Sequence, residues 1–290
     1  MDFPSFLIQV LNAVQYGLLL FLVASGLTLI FGIMGIINLA HGSFYMIGAY
    51  LAFVLSSATG SLMLALAIGV PLALIFGWLL EWAVFTHLYK RDHLEQVLLT
   101  YGLILFFEEA RSILVDNDVH SVAIPELLQA SIALTETLSY PVYRLFISVV
   151  CLAIAVALYF LIRYTRLGMM IRAGSHDRDM VAALGININL VYRIVFALGV
   201  ALAAFAGMIA APVSTVYPGM GSHVLIVSFV IVVIGGIGSV WGALLAALVI
   251  GFTDTFGKVV FPDYAGILVY VVMAAVLLWR PEGILRKSGG

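Results

Sequence analysis

The chain has 290 residues, 64% of them hydrophobic and 10% charged, with a formal net charge of -2 and a mean hydropathy of +1.18. That apolar excess excludes a water-soluble domain, because soluble chains reach about 45 to 50% even with glycine counted, and the slightly acidic balance excludes a nucleic-acid binder working through a basic face. Eight or nine helical crossings at about 20 residues each take up about 160 to 180 residues, which leaves short loops and no room for a separate catalytic or ATP-hydrolysing domain.

Strand alternation is absent, and long apolar stretches broken by Gly, Pro or charge recur throughout, so helical spans are favoured over a β-barrel. The fold expected is all-α, a polytopic transmembrane bundle of about 8–9 spans forming a single domain over 1–290. The start, MDFPSF, lacks the basic region of a secretory signal, so the first apolar segment is expected to be retained as a span. In chain order the apolar segments cover approximately 6–34, 43–58, 62–86, 95–115, 141–163, 191–213, 222–236, 240–257 and 263–280. Those at 43–58 and 222–236 are too short to cross comfortably and have glycine-rich flanks, so short or broken elements are expected near 35–58 and 222–240. Broken backbone at membrane depth is tolerated only where protein or water satisfies the freed groups.

Basic residues near span ends set orientation. Arg163, Arg166, Arg172, Arg178 and Arg193 around 163–193, Lys90 and Arg91 in the turn at 87–95, and Arg280, Arg286 and Lys287 in the tail all belong on the cytoplasmic side. Residues 116–140 carry Asp116, Asp118, Glu126 and Glu136 without a Lys or Arg, and 212–223 carry no charge beyond a protonatable His223, so both belong outside. Parity then requires an odd number of crossings before residue 87 and after residue 223. Three and three gives nine spans with the N-terminus outside; one re-entrant segment gives eight with the N-terminus inside.

Polar groups inside spans are few. Glu108 and Arg111 at i, i+3, and Asp254 and Lys258 at i, i+4, are spaced to neutralise each other. Glu81 sits near a span end, where it is expected to snorkel. The single Cys151 reads as packing. Gly199, Ala203, Gly207 and Ala211, and again Ser239, Ala243, Ala247, Gly251 and Thr255, form small-residue stripes that let helices approach closely in lipid; packing within the subunit is the preferred reading over a seam between subunits.

The richest stretch is FGIMGIINLAHGSFYMIGAY at 31–50, where glycines interrupt apolar sequence and Asn38, His41, Ser43 and Tyr45 add neutral hydrogen-bonding groups. A helix broken here would offer polar groups at depth to a substrate, as transporters do. The competing reading makes Asn38 and Ser43 caps and His41 a satisfied interior histidine. VIGGIGSVWGALLAA at 233–247 is a second glycine-rich break and raises the question of a diverged repeat. Motifs for a zinc hydrolase or a serine nucleophile are missing, and GFTDTFGK at 251–258 fails as a phosphate loop because its glycines stand one residue too far apart and Val259 replaces the hydroxyl residue. The chain is expected to need no cofactor or metal and to perform no covalent chemistry.

The longest basic loop, RLGMMIRAGSHDRDMVAALGININLVYR at 166–193, places His176, Asp177, Arg178 and Asp179 before an apolar run, Met180 to Leu184, that ends at Gly185. It suits a short amphipathic helix, charged in its first turn and stopped by glycine, that docks on a partner; a solvated loop or a membrane-surface helix is the plainer alternative.

FGIMGIINLAHGSFYMIGAY, IRAGSHDRDMVAALGI and VIGGIGSVWGALLAA, with the length and hydropathy of the whole chain, resemble the LivH-type permease subunits of ABC importers for branched-chain amino acids. The resemblance implies a multi-pass subunit of the bacterial inner membrane, C-terminus cytoplasmic, working by alternating access. Its implied partners are a second, LivM-like permease, two cytoplasmic ABC ATPase subunits and a periplasmic substrate-binding protein, with membrane lipid around it and no nucleic acid. It also implies that 164–190 is the coupling loop: Ala182, Ala183 and Gly185 match the Ala and Gly of the coupling motif, with His176, Asp177 and Arg178 leading into it, while Val181 precedes Ala182 where many importers have Glu. A self-sufficient carrier or channel, an intramembrane enzyme, and an ABC permease for urea or short amides are the alternatives.

Overall fold

The computed structural model describes residues 3–89, 91–133 and 139–285; Lys90, Glu136, Arg286 and Lys287, which enter the charge argument above, lie outside them. Eleven α-helices occur among the described residues: α1 (Phe3–Met34), α2 (His41–Thr59), α3 (Leu62–Ala83), α4 (His93–Val115), α5 (Val142–Tyr164), α6 (Arg166–His176), α7 (Arg178–Ala183), α8 (Ile188–Ala210), α9 (Met220–Gly235), α10 (Val240–Val260) and α11 (Ala265–Trp279). A two-stranded antiparallel hairpin, β1 (Ser131–Ala133) with β2 (Ser139–Pro141), decorates the acidic loop. Seven helical segments are long and apolar enough to cross a membrane. The chain is thus the all-α polytopic bundle that its hydropathy demands.

Contacts define two ends of the bundle. At one, Arg193 at the start of α8 meets Glu81 at the end of α3, Gly35 after α1 lies beside Arg178, and Ile284 N–H donates to the Ile234 carbonyl at the end of α9. At the other, His120 and Val216 form an isolated antiparallel bridge, the Tyr143 hydroxyl donates to the Ile209 carbonyl at 2.9 Å, and Arg144 donates to Asn12 Oδ1 at 2.6 Å. The first, rich in arginine, is called the basic end below. Among the described residues, α1 starts towards the end opposite the basic one, while α3 and α9 finish at the basic one.

Glycine explains why so many helices fit around two central ones. Most of α1 and α8 is buried, and a Cβ on Gly26 of α1 would lie 2.6 Å from the Gly199 carbonyl oxygen of α8, so backbone rests on backbone there. Gly251 of α10 approaches Ala13 and Gly17 of α1 just as closely, while Gly207 of α8 faces the Tyr45 carbonyl of α2. Both small-residue stripes are therefore spent on packing inside this chain, where close approach supplies the dispersion contacts that apolar burial cannot supply in lipid. Gly251 to Lys258 lies within α10, which removes any phosphate-loop geometry from that stretch.

Three of the four polar assignments hold and one is corrected. Arg111 lies 3.5 Å from Glu108 and also reaches Asn117 Oδ1 at 2.9 Å; Lys258 binds Asp254 at 2.6 Å; and Cys151 is buried in the core. Glu81 does not snorkel. It is fully buried, because Gly77, one turn earlier, lets α3 press against Ala197 and Val200 of α8 and so brings Arg193 within reach.

Candidate functional site

Three features converge on the basic end. The first is the break between α1 and α2. Helix α1 closes with the Gly35 N–H on the Phe31 carbonyl, and Gly35 then turns at φ +68°, a conformation that favours glycine. The chain doubles back without helix to Asn38, whose Oδ1 accepts the Ala40 N–H at 3.1 Å. Helix α2 then begins at His41, whose Nε2 lies 2.9 Å from the Val23 carbonyl, three turns inside α1. The start of α2 is therefore well below the end of α1, at depth in the bundle.

Asn38, His41, Ser43 and Tyr45 are all buried. Asn38 holds the turn but, against the plainer reading, neither it nor Ser43 caps α2: Ala40 occupies the cap position without a side-chain cap hydrogen bond, and Ser43 stands inside the first turn. His41 is only half satisfied: its Nδ1 has no partner among the described residues, nor has Asn38 Nδ2. Phe44 beside them meets Phe76, Phe107 and Phe196 at centroid distances near 6 Å. All four side chains are closed to solvent, with the His41 ring against Phe44 and Tyr45 hydrogen-bonded to Ser214.

The second feature is the loop after α5. Asp177 ends α6 and caps α7, its Oδ1 accepting the Met180 N–H at 2.9 Å. Helix α7 then stops in a Schellman arrangement: Ile186 N–H reaches the Val181 carbonyl, Gly185 N–H the Ala182 carbonyl, and Gly185 sits at φ +82°. The glycine stop and charged first turn follow the sequence pattern. Of the residues from His176 to Gly185 only Val181 is buried; Met180 and Leu184 stand 59% and 73% exposed. Sequence reasoning missed the neighbour of this helix: the Arg178 guanidinium lies 3.7 Å from the position a Gly35 side chain would take.

The third feature is the second break. Gly236 and Gly238 have φ of +92° and +78°, and Ser239 caps α10 by accepting the Gly242 N–H at 3.0 Å. Gly32 of α1 packs directly on Gly238, so the two glycine-rich breaks touch. Residues after α11 cover this break, with Gly283 against Gly236. Nearby, Glu81 accepts hydrogen bonds from Arg193, Thr86 and Tyr89, and burial together with the Glu81 contact holds the Tyr89 phenol well above its ordinary range. The Arg193 contact was invisible to spacing because it lies 112 residues from Glu81.

Comparison with known proteins agrees with this architecture. Residues 9–277 match the family model described as branched-chain amino acid transport system / permease component. The chain is similar to the high-affinity branched-chain amino acid transport system permease protein BraD of Pseudomonas aeruginosa, 33% identical with 97% of this chain and 96% of that protein covered. It is also similar to LivH of Escherichia coli K12, a permease protein of the same description, at 30% identity over 99% and 97%, and to the permease protein LivM of the same organism at 28% over 91% and 67%. No solved structure matches. With nearly the whole length matched, the chain belongs to the branched-chain amino acid transport system permease family.

Proposed function

We propose that this chain is the permease subunit of an ATP-binding cassette importer for branched-chain or related neutral amino acids in a bacterial inner membrane, with the basic end cytoplasmic and the acidic loop outside. The observation that carries the reading is the placement of α7. It is exposed, capped at both ends, and its Arg178 abuts Gly35 at the α1–α2 break. A partner that grips Met180, Ala182, Ala183 and Leu184 would pull on the segment leading to Asn38 and His41. ATP hydrolysis takes place on two separate cytoplasmic subunits, a second LivM-like permease completes the pathway, and a periplasmic binding protein delivers cargo.

In this mechanism the chain makes and breaks no covalent bond. ATP-driven closure of the ATPase pair moves 164–190 as one coupling unit, with His176 and Asp177 joining α6 to α7. The motion alters the depth of the break, and the pathway alternates between outward and inward opening. The unsatisfied groups of Asn38 and His41, with Ser43 and Tyr45 beside them, then serve a zwitterion passing at that depth. These groups are neutral, which suits a net-neutral amino acid better than a dianion.

The test is reconstitution with the ATPases, the second permease and the binding protein in vesicles. Leu184→Asp, at a site 73% exposed, and Gly185→Asp are expected to insert normally and lose ATP-coupled uptake. Full uptake in both would overturn the docking role. Accumulation of leucine by this chain alone under an ion gradient would instead make it a secondary carrier.

A further inference from the structure

A cavity of about 800 Å³ lies between α1, α5, α6 and the start of α10, on the side of α1 away from His41. Its inner wall is apolar, with Phe21, Leu29 and Ile33 of α1 facing Leu152 and Val156 of α5 and Leu244 of α10. Along α1 it runs from residue 21 to residue 33, about 18 Å at 1.5 Å per residue. That is close to the depth of one leaflet, about 15 Å for a hydrocarbon core of about 30 Å. An amino acid needs no such length.

Charge and exposure say what fills it. At the basic end the lining includes Arg163, Arg172 and Ser239, the cap of α10, so two guanidinium groups and a helix N-terminus present positive potential to one space. The residues lining the cavity include no carboxylate. Arg163 engages the ring faces of Tyr159 and Tyr164, Arg172 donates to the Ile162 carbonyl, and neither pairs with an acid among the described residues. Inside, Thr28 is 1% exposed and its hydroxyl has no partner among the described residues. On the α5 and α10 sides of the cavity, Leu152, Val156 and Trp241 are about half exposed, with Trp241 against Tyr159 at 5.3 Å. Exposed apolar residues, an aromatic pair and arginines at one level are what a membrane interface places there.

We propose that this cavity is a binding site for an anionic phospholipid of the leaflet at the basic end. The phosphate rests at Arg163, Arg172 and the first turn of α10, and an acyl chain descends along Phe21, Leu152 and Val156, past the free Thr28 hydroxyl. Basic pockets between spans on the cytoplasmic side recognise acidic headgroups in this way. Because the cavity abuts Gly32, Gly238 and α6, a bound lipid braces the region where the two breaks meet.

The test is lipid retention by the purified full-length chain, reconstituted in vesicles of phosphatidylcholine with or without phosphatidylglycerol, extracted, and weighed by native mass spectrometry. The wild type is expected to keep phosphatidylglycerol over phosphatidylcholine, and Arg163→Gln with Arg172→Gln to lose on the order of tenfold of that preference. Ala155→Trp, which fills the cavity, is expected to reduce retention of both lipids. Where the double variant loses helical circular dichroism, Arg163→Gln alone gives the reading, since that side chain lies over ring faces and makes no ion pair among the described residues. Equal retention of both lipids by the wild type overturns the site, as does a phosphatidylglycerol preference unchanged in Arg163→Gln or a retention of both lipids undiminished in Ala155→Trp. Retained leucine with no discrimination between lipids assigns the space to cargo and overturns it too. The readout involves no transport, so it stands apart from the importer reading.

Discussion

Arg193 Nε lies 2.7 Å from Glu81 Oε2, an ion pair that ties the end of α3 to the start of α8 across 112 positions of sequence. The carboxylate is fully buried, while the arginine side chain retains 22% exposure over the Trp78 ring. Removing the arginine strands a charge inside the protein, which costs about 3 to 5 kcal/mol. Arg193→Ala is therefore expected to lower the thermal midpoint in detergent more than Glu81→Ala does, because the arginine left behind in the latter can reach water. The reverse order would show that the carboxylate is not the desolvated partner.

Gly207 and Gly102 should respond in opposite ways to a side chain. A Cβ on Gly207 runs into the Tyr45 carbonyl of α2, whereas one on Gly102, within α4, meets nothing within 4 Å. Gly207→Leu is expected to destabilise by at least about 1 to 3 kcal/mol through overpacking. Gly102→Ala is expected to be neutral or stabilising by up to about 1 kcal/mol, the helix-propensity difference. Thermal unfolding of the two variants checks both signs.

Helix α7 has two local anchors of similar worth. Asp177→Ala removes the N-cap at a cost of about 1 kcal/mol. Gly185→Ala forces a left-handed residue to carry a Cβ at about 1 to 2 kcal/mol, with backbone strain as the cause because open space surrounds the position. Gly185→Asn should cost less. Amide hydrogen exchange over 178–186 is expected to rise in Asp177→Ala and Gly185→Ala, and less in Gly185→Asn, while the rest of the bundle is unchanged; protection lost throughout would mean that α7 is structurally essential rather than an appended knuckle.

Asn38→Ala removes the acceptor for the Ala40 N–H and is expected to cost about 1 kcal/mol. His41→Ala removes a fully buried ring bonded to the Val23 carbonyl and is expected to cost more, about 2 to 4 kcal/mol, by analogy with other large-to-small core changes. Under the importer reading both also reduce uptake at equal membrane abundance. Uptake per molecule equal to wild type in both variants would leave these residues with a purely structural role.

Much of this was legible in one dimension. The apolar excess required a helical bundle, the glycines at 31–50 and 233–247 marked real interruptions after Met34 and Gly235, and the run from Asp177 to Gly185 announced a capped helix stopped by glycine. Each is set by neighbours in the chain: capping, left-handed glycine and hydropathy act over a few residues. Glu81 was misjudged because its position in the span said nothing about what α8 would place opposite it.

What the amino-acid order alone determined is that the chain is built of apolar helices, where they break, and which loop carries the arginines, because these follow from local backbone preferences and the cost of burying charge. Only the tertiary structure decided that α1 and α8 form the centre, that the two breaks meet at Gly32 and Gly238, that Arg178 sits on Gly35, and that a basic-ended cavity opens beside them. Those pairings depend on which small residues let which backbones touch, a property of two surfaces meeting in space that neither segment carries by itself.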